Sequence, residues 1–228
     1  MKIITIPPPQ MVANMRVGNM DGYCVGEPWN GVAVAEGIGF THLASQDIWK
    51  HHPEKALVFH WTFAREHREE AKSLMKAILE ASRWLDDFEN RRKAAPILGR
   101  RAYVNASTEV ILARLLGVYD LGAGLGRRVY RKDPMLFHRG ALVNFPRHAY
   151  GVWFLAQYRR WGWLREAPDY LEVARTLILQ DLYRAAAREL GVPVPEEDLV
   201  PLVGFIDGVP FDPRQPEASI RKYRIREV

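Results

Sequence analysis

The chain has 228 residues, 48% apolar and 26% charged, which excludes a disordered protein and leaves room for one large or two small domains with a real core. Its net charge is +5, with arginine pairs at Arg91-Arg92 and Arg100-Arg101 and a basic tail, RKYRIREV. Most basic residues alternate with acids on helix faces, so the charge reads as solvated surface and not as a nucleic-acid interface. A single cysteine, Cys24, excludes an internal disulfide, and its apolar surroundings predict a buried, inert thiol. No apolar run approaches the roughly 18 residues of a membrane span, and MKIITIPPP is too short in apolar residues for an export signal.

Lys2–Ile6 is rich in β-branched residues and predicts a strand, stopped by Pro7, Pro8 and Pro9, which have no N–H for a ladder. Gln10–Val17 predicts two helical turns ending at Gly18. Asp21-Gly22 predicts a turn, and Tyr23–Gly26 a short buried strand broken by Glu27-Pro28. The three pieces together suggest a small βαβ unit with parallel strands. Thr41–Ser45 and Lys55–Phe59 are further strand candidates.

From Ala64 a long helix is expected, with Ala71, Leu74, Met75, Ile78, Leu85 and Phe88 at helical spacing. Ser107 is placed to cap a helix over Thr108–Leu116. Residues 120–147 are glycine-rich and irregular. Helices follow over Ala149–Trp161, Tyr170–Leu179 and Asp181–Leu190, the last stopped by Gly191 and Pro193.

Few patterns carry chemistry. GAGLG at 122–126 lacks the context of a phosphate loop and reads as a flexible connection. The seven histidines show no metal-ligand spacing and read as surface or hydrogen-bonded core groups. No nucleophile motif is present, so nothing argues for an enzyme. Trp84, Trp153, Trp161 and Trp163 lie on or beside helices and are expected to pack in the core. The first thirty residues differ. A helix starting after Pro8-Pro9-Gln10 offers its N-terminal N–H groups to a small anion, and Glu27-Pro28-Trp29 ends the second strand at the same rim.

The run IPPPQMVANMRVGNMDGYCVGEPWN closely resembles the nitrate- and bicarbonate-binding proteins of ABC transporters. QDIWKHHPEKALVF, VNFPRHAYGVWFLAQYRRWG and APDYLEVARTLILQDLYRAAARELG extend the likeness, in order, through nearly the whole chain. The resemblance implies an α/β, type II periplasmic-binding-protein-like fold. Two lobes close on an oxyanion, and this chain corresponds to the C-terminal half, with a helical C-terminal part. Residues to about 25 would complete the second lobe, and the remainder would form first-lobe and helical regions. The implied partners are a permease, an ATPase subunit and a complementary N-terminal half, with no nucleic acid. The implied place is the periplasmic side of the inner membrane. By motif position, Pro8, Pro9, Gln10, Glu27 and Trp29 are the implied cleft residues, with Lys55, then Lys50, as the anion-facing lysine. A bicarbonate-type member would add calcium, held partly by Glu27. The resemblance also admits a cytoplasmic nitrate sensor of the same fold, a non-functional fragment, or a thiamine-precursor enzyme using Cys24.

Overall fold

The structure is a computed structural model describing residues 2–131 and 134–223. Residues 132–133 of the glycine-rich stretch and 224–228 of the basic tail lie outside the described residues. A 3₁₀ turn, Pro8–Gln10, leads into α1 (Met11–Arg16), α2 (Trp29–Ala35), α3 (Ser45–Ile48), α4 (Trp61–Glu66), α5 (Arg68–Leu85), α6 (Phe88–Leu98) and α7 (Thr108–Leu115). A hairpin of β1 (Val118–Asp120) and β2 (Arg127–Val129) follows, then α8 (His148–Arg160), α9 (Tyr170–Leu177), α10 (Gln180–Glu189) and α11 (Pro216–Ile220). The chain divides into two compact units, Met1–Leu43 with Arg83–Phe137, and Ala44–Ser82 with His138–Val228. The lobe division expected near residue 25 falls inside the first unit.

In the first unit, α6 packs on α7 around Ala95, Ile111 and Leu115, with Leu98, Val104, Leu112 and Phe137 at the margin. Ser107 caps α7 as expected, its Oγ accepting the Val110 N–H at 3.4 Å. Arg91, on the inner face of α6, is only 2% exposed. It donates to the carbonyls of Leu85 and Leu115, both at 2.7 Å, and lies over the rings of Phe88 and Phe137. A guanidinium placed on the last carbonyls of two helices satisfies acceptors that their own ladders leave open.

The glycine-rich stretch is not simply a loose connection. Its first part forms the antiparallel hairpin, with Val118 opposite Val129 and Asp120 opposite Arg127. GAGLG is the turn, and Gly122, Ala123, Gly124 and Gly126 all have positive φ. Gly122 also touches the 39–41 segment. A Cβ there would lie 2.8 Å from the Gly39 carbonyl, and the Thr41 N–H donates to Leu121 at 2.8 Å.

In the second unit, α8 packs on α9 and α11 over a core of Trp49, Val152, Ala156, Ala174, Leu202 and Phe211. A second core joins Leu79 of α5 to Phe145 and to Tyr183, Ala186 and Ala187 of α10. Burial pushes the Tyr183 hydroxyl up to about 12. On α5 the buried stripe is Ala71, Leu79 and Ser82, with Met75 beside it. Leu74 and Ile78, expected inward, face outward at 49% and 43% exposure. The long helix is also three: it breaks at His67 and again at Asp86-Asp87, where Asp87 caps α6 by accepting the Glu89 N–H.

Glu189 of α10 clamps α5 by accepting from Lys72 and Lys76, each at 2.7 Å. The two lysines, Lys72 foremost, hold its carboxyl down to about 2. A depressed carboxyl contributes stability that is present above its ordinary value near 4.5 and lost as pH falls from there toward 2. Glu189→Gln is therefore expected to flatten the fall in urea midpoint between about pH 4.5 and 2. An unchanged acid limb would show that the pair adds nothing to stability.

Four expected strands are absent. Lys2–Ile6, Tyr23–Gly26, Thr41–Ser45 and Lys55–Phe59 pair with no other strand among the described residues, and Ser45 instead opens α3. The βαβ unit is therefore not formed among the described residues. A strand exists only where another strand meets it, and the β-rich composition of these segments states a preference that nothing in the described residues satisfies. Cys24 is exposed and not buried, because the strand that would cover it does not form. Of the four tryptophans expected inside, Trp153 packs against the core, while Trp84, Trp161 and Trp163 are 42%, 56% and 76% exposed.

Candidate functional site

The segment from Pro7 to Gln10 does not present a ring of free N–H groups. Three prolines carry none, the Gln10 N–H donates to Pro7 at 2.9 Å, and the Met11 N–H to Pro8. Pro8, Pro9 and Gln10 are exposed, and the donor left for a ligand is the Gln10 side-chain amide.

Glu27 and Trp29 are held together at the start of α2. The Glu27 Oε2 accepts the Gly31 N–H at 3.2 Å, and the Tyr23 hydroxyl donates to the Trp29 carbonyl at 3.0 Å. The other Glu27 oxygen lies 3.3 Å from Nε of Arg114 on α7, too poorly aligned for a hydrogen bond but close enough for an ion pair. The pair is sheltered, with the two side chains 12% and 5% exposed. Arg114 also donates to the Val118 carbonyl at 3.0 Å and lies over the Tyr119 ring at 4.5 Å. Gly31 permits this arrangement, since a Cβ there would stand 2.7 Å from Val110 Cγ1 and 3.0 Å from Arg114 Nε. Sequence reasoning missed Arg114. The signal was a lone arginine inside the apolar run of α7, where a charge is rare unless paired.

The lysines stand in the second unit. Lys55 is exposed, and its Nζ donates to the neighbouring Glu54 at 2.6 Å. Lys50 is exposed, and its backbone N–H donates to the Gly204 carbonyl at 2.9 Å.

The second unit also holds a polar cluster that the sequence did not single out. Asp198 accepts both the His148 backbone N–H, at 2.8 Å, and a hydrogen bond to His148 Nδ1. Gln180 of α10 donates to the same carboxylate at 2.9 Å and to the Pro146 carbonyl at 3.2 Å. Asp198 thus caps α8 across a loop, the work of an N-cap carboxylate supplied from afar. His148 and His138 are the hydrogen-bonded core histidines, and His138 Nδ1 meets the Asn144 side chain at 3.1 Å.

The comparisons with known proteins bear on this arrangement. A family described as NMT1-like matches residues 1–99. The nitrate/nitrite binding protein NrtA of Nostoc sp. is 35% identical over 98% of this chain and 51% of its own length. The bicarbonate-binding protein CmpA of Synechococcus elongatus is 27% identical over the whole chain and 52% of its own length. The crystal structure of the periplasmic nitrate-binding protein NrtA from Synechocystis superposes with a TM-score of 0.91 at 33% identity, covering 97% of this chain and 58% of that one. The chain is similar over nearly its whole length to nitrate/nitrite- and bicarbonate-binding proteins. It has the type II periplasmic-binding-protein-like fold in part, and spans about half the length of the curated relatives it matches.

These relatives are named as binding proteins, and Cys24, exposed, has no histidine or carboxylate bonded to it among the described residues. The calcium role implied for Glu27 in a bicarbonate-binding member does not fit its surroundings. Both oxygens are engaged, one by a backbone N–H and one by a guanidinium whose charge opposes a cation's. Among the described residues no group of three or more histidines, cysteines and acids is placed to hold a metal.

Proposed function

We propose that this chain supplies half of a two-lobed clamp for a small planar oxyanion, nitrate, nitrite or bicarbonate, in an ABC importer. The observation that carries the reading is the 0.91 TM-score at 33% identity to a nitrate-binding protein over 97% of the chain. In this reading the assembled clamp works on the periplasmic side of the inner membrane and delivers its anion to a permease driven by an ATPase subunit. No helix among the described residues is long and apolar enough to cross a membrane. The remaining half of the relatives' length, on the same polypeptide or another, completes the clamp. A lobe division near residue 25 is part of the same proposal, although the compact units, which keep Met1–Leu43 together, lend it no support.

The recognition residues we propose are Gln10, through its side-chain amide, Trp29 as an apolar wall, and Lys55, with Lys50 second, as the cation. Pro8 and Pro9 shape the approach. Glu27 acts indirectly, by fixing the start of α2 through Arg114.

The energetics favour a shared site. A micromolar affinity requires about −8.2 kcal/mol. Each hydrogen bond to a charged group adds roughly 1.5–3 kcal/mol before the costs of association. Several enclosing donors are needed, and one amide with one solvated lysine falls short. In the assembled protein, Lys55→Ala is expected to weaken nitrate binding about 10- to 100-fold, the loss of one charged hydrogen bond, by titration calorimetry. Sulfate should not compete. Unchanged affinity in both Lys55→Ala and Lys50→Ala would remove the lysines from the site. Equal competition by sulfate would remove the planar-anion reading.

A further inference from the structure

Shortly before Lys55 stands a histidine whose ring is bonded at both nitrogens. His52 Nδ1 lies 2.9 Å from the Pro53 carbonyl oxygen, and its Nε2 lies 2.8 Å from Oγ of Ser45, at the start of α3. A carbonyl oxygen only accepts, so Nδ1 carries a proton. In the neutral ring Nε2 is then the acceptor, and the Ser45 hydroxyl donates to it. The segment below this ring is well anchored. Trp49, 8% exposed, packs on Trp153 and Phe205, each with its ring centre 4.6 Å away. Its Nε1 donates to the Val203 carbonyl at 3.1 Å, the Ile206 N–H donates to the Ile48 carbonyl at 2.7 Å, and the His52 N–H reaches back to the Trp49 carbonyl at 3.3 Å.

Beyond His52 that support stops. Residues 53–59 make no backbone–backbone hydrogen bond among the described residues, and the next comes where His60 accepts the Ala64 N–H at the start of α4. The path of Lys55 is therefore set at the entry to this run. There the pyrrolidine ring of Pro53 fixes φ, and the bond from His52 to the Pro53 carbonyl holds the other torsion, ψ. Together they aim the peptide from which Glu54 and Lys55 leave. The Lys55 ammonium bonds Glu54 at 2.6 Å, but the two side chains are 74% and 53% exposed, and such a pair fixes little.

We infer that His52 is a positioning residue for the anion-facing lysine. It touches no anion. Its Nδ1–H, kept in that tautomer by the Ser45 hydroxyl, fixes the Pro53 carbonyl and so the point from which Lys55 reaches the ligand. The inference deepens the proposed oxyanion site and rests on the assignment of Lys55 to it. The contribution of such a bond is preorganisation: without it the run is ordered only as the anion binds, which lowers affinity although no contact to the anion is lost.

Two measurements test it. The first needs no anion. A proton–nitrogen correlation spectrum of the histidine rings in the 228-residue chain, at about pH 8, should show His52 as the Nδ1–H tautomer. A neutral His52 ring protonated on Nε2 would overturn the inference. The second is titration of the assembled protein with nitrate, nitrite and bicarbonate, as a double-mutant cycle. His52→Phe keeps a ring beside Trp49, where the two centres are 6.3 Å apart, but has no donor. It should weaken anion binding about 3- to 10-fold, the cost of ordering one more group on binding. In the Lys55→Ala background the same change should alter affinity by less than about twofold, because its effect passes through the lysine. His52→Asn, whose amide nitrogen can stand in for Nδ1, should recover most of the loss. Normal affinity in His52→Phe, an equal loss with and without Lys55, or no recovery in His52→Asn would overturn the inference and leave the oxyanion reading standing. A Lys55→Ala protein that binds as well as its parent would overturn the assignment of Lys55, and the inference with it.

Discussion

Glu27→Ala is expected to destabilise the first compact unit by about 3–5 kcal/mol, the range for breaking a buried ion pair from one side. The Arg114 guanidinium, 5% exposed at its side chain, would keep its charge and lose its carboxylate. Its remaining bond to the Val118 carbonyl and its seat over Tyr119 do not neutralise that charge. Gly31 would also lose the acceptor for its N–H at the first turn of α2. Glu27→Gln should cost less, because an amide oxygen still accepts from Gly31 while only the charge is lost. Replacing both partners, with Arg114→Met beside Glu27→Ala, should recover much of the loss, since two absent charges leave none stranded. Urea denaturation of the three variants measures these differences. A loss below about 1 kcal/mol for Glu27→Ala would place the carboxylate in solvent and reopen its assignment as a ligand group.

Phe211→Ala is expected to cost about 3–5 kcal/mol in the second unit, the usual range for truncating a fully buried phenylalanine. Phe211 has no exposure, and its backbone exchanges two hydrogen bonds with Leu202, at 2.8 and 2.9 Å. That bridge sits in the core shared by Trp49 and the inner face of α8, so the cavity opens where collapse is least free. Phe211→Leu, which keeps most of the volume, should cost less than about 1.5 kcal/mol. The readout is a urea melt followed by amide exchange in α8, which separates the second unit from the first. Equal losses for the two variants would show that shape at this site matters little.

What could be read from the sequence divides along physical lines. Helices α7 to α10 were legible because their signals are local: Ser107 before α7, a 3.6-residue apolar period, and Gly191 with positive φ after α10. The break of α5 from α6 was not, because Asp86-Asp87 reads as a solvated pair, and its capping of the next helix shows only in the structure. Strands were least legible. KIITI and KALVF have the right composition, but their state is decided by ladders that residues 2–131 and 134–223 do not supply.

The candidate site followed the same rule. The family likeness was carried by long motifs, and the comparisons bear it out at 0.91 TM-score. The pairing of Glu27 with Arg114, and of Asp198 with His148 and Gln180, depends on contacts between residues far apart in sequence. A periodicity argument has no access to such pairs. Glu27 was noticed as the end of a strand at a rim, and the structure adds its two partners, the Gly31 N–H and the Arg114 guanidinium.

We propose that this chain supplies one part of an oxyanion clamp whose closure needs the rest of the fold. Parallel calorimetric titrations with nitrate, nitrite and bicarbonate test it most directly, one on the 228-residue chain and one on the chain joined by the complementary part of the fold. The account predicts no measurable heat of binding for the chain by itself and micromolar affinity for at least one of the three anions once it is joined. Micromolar binding by the isolated chain, or an assembled protein that ignores all three anions, would contradict it.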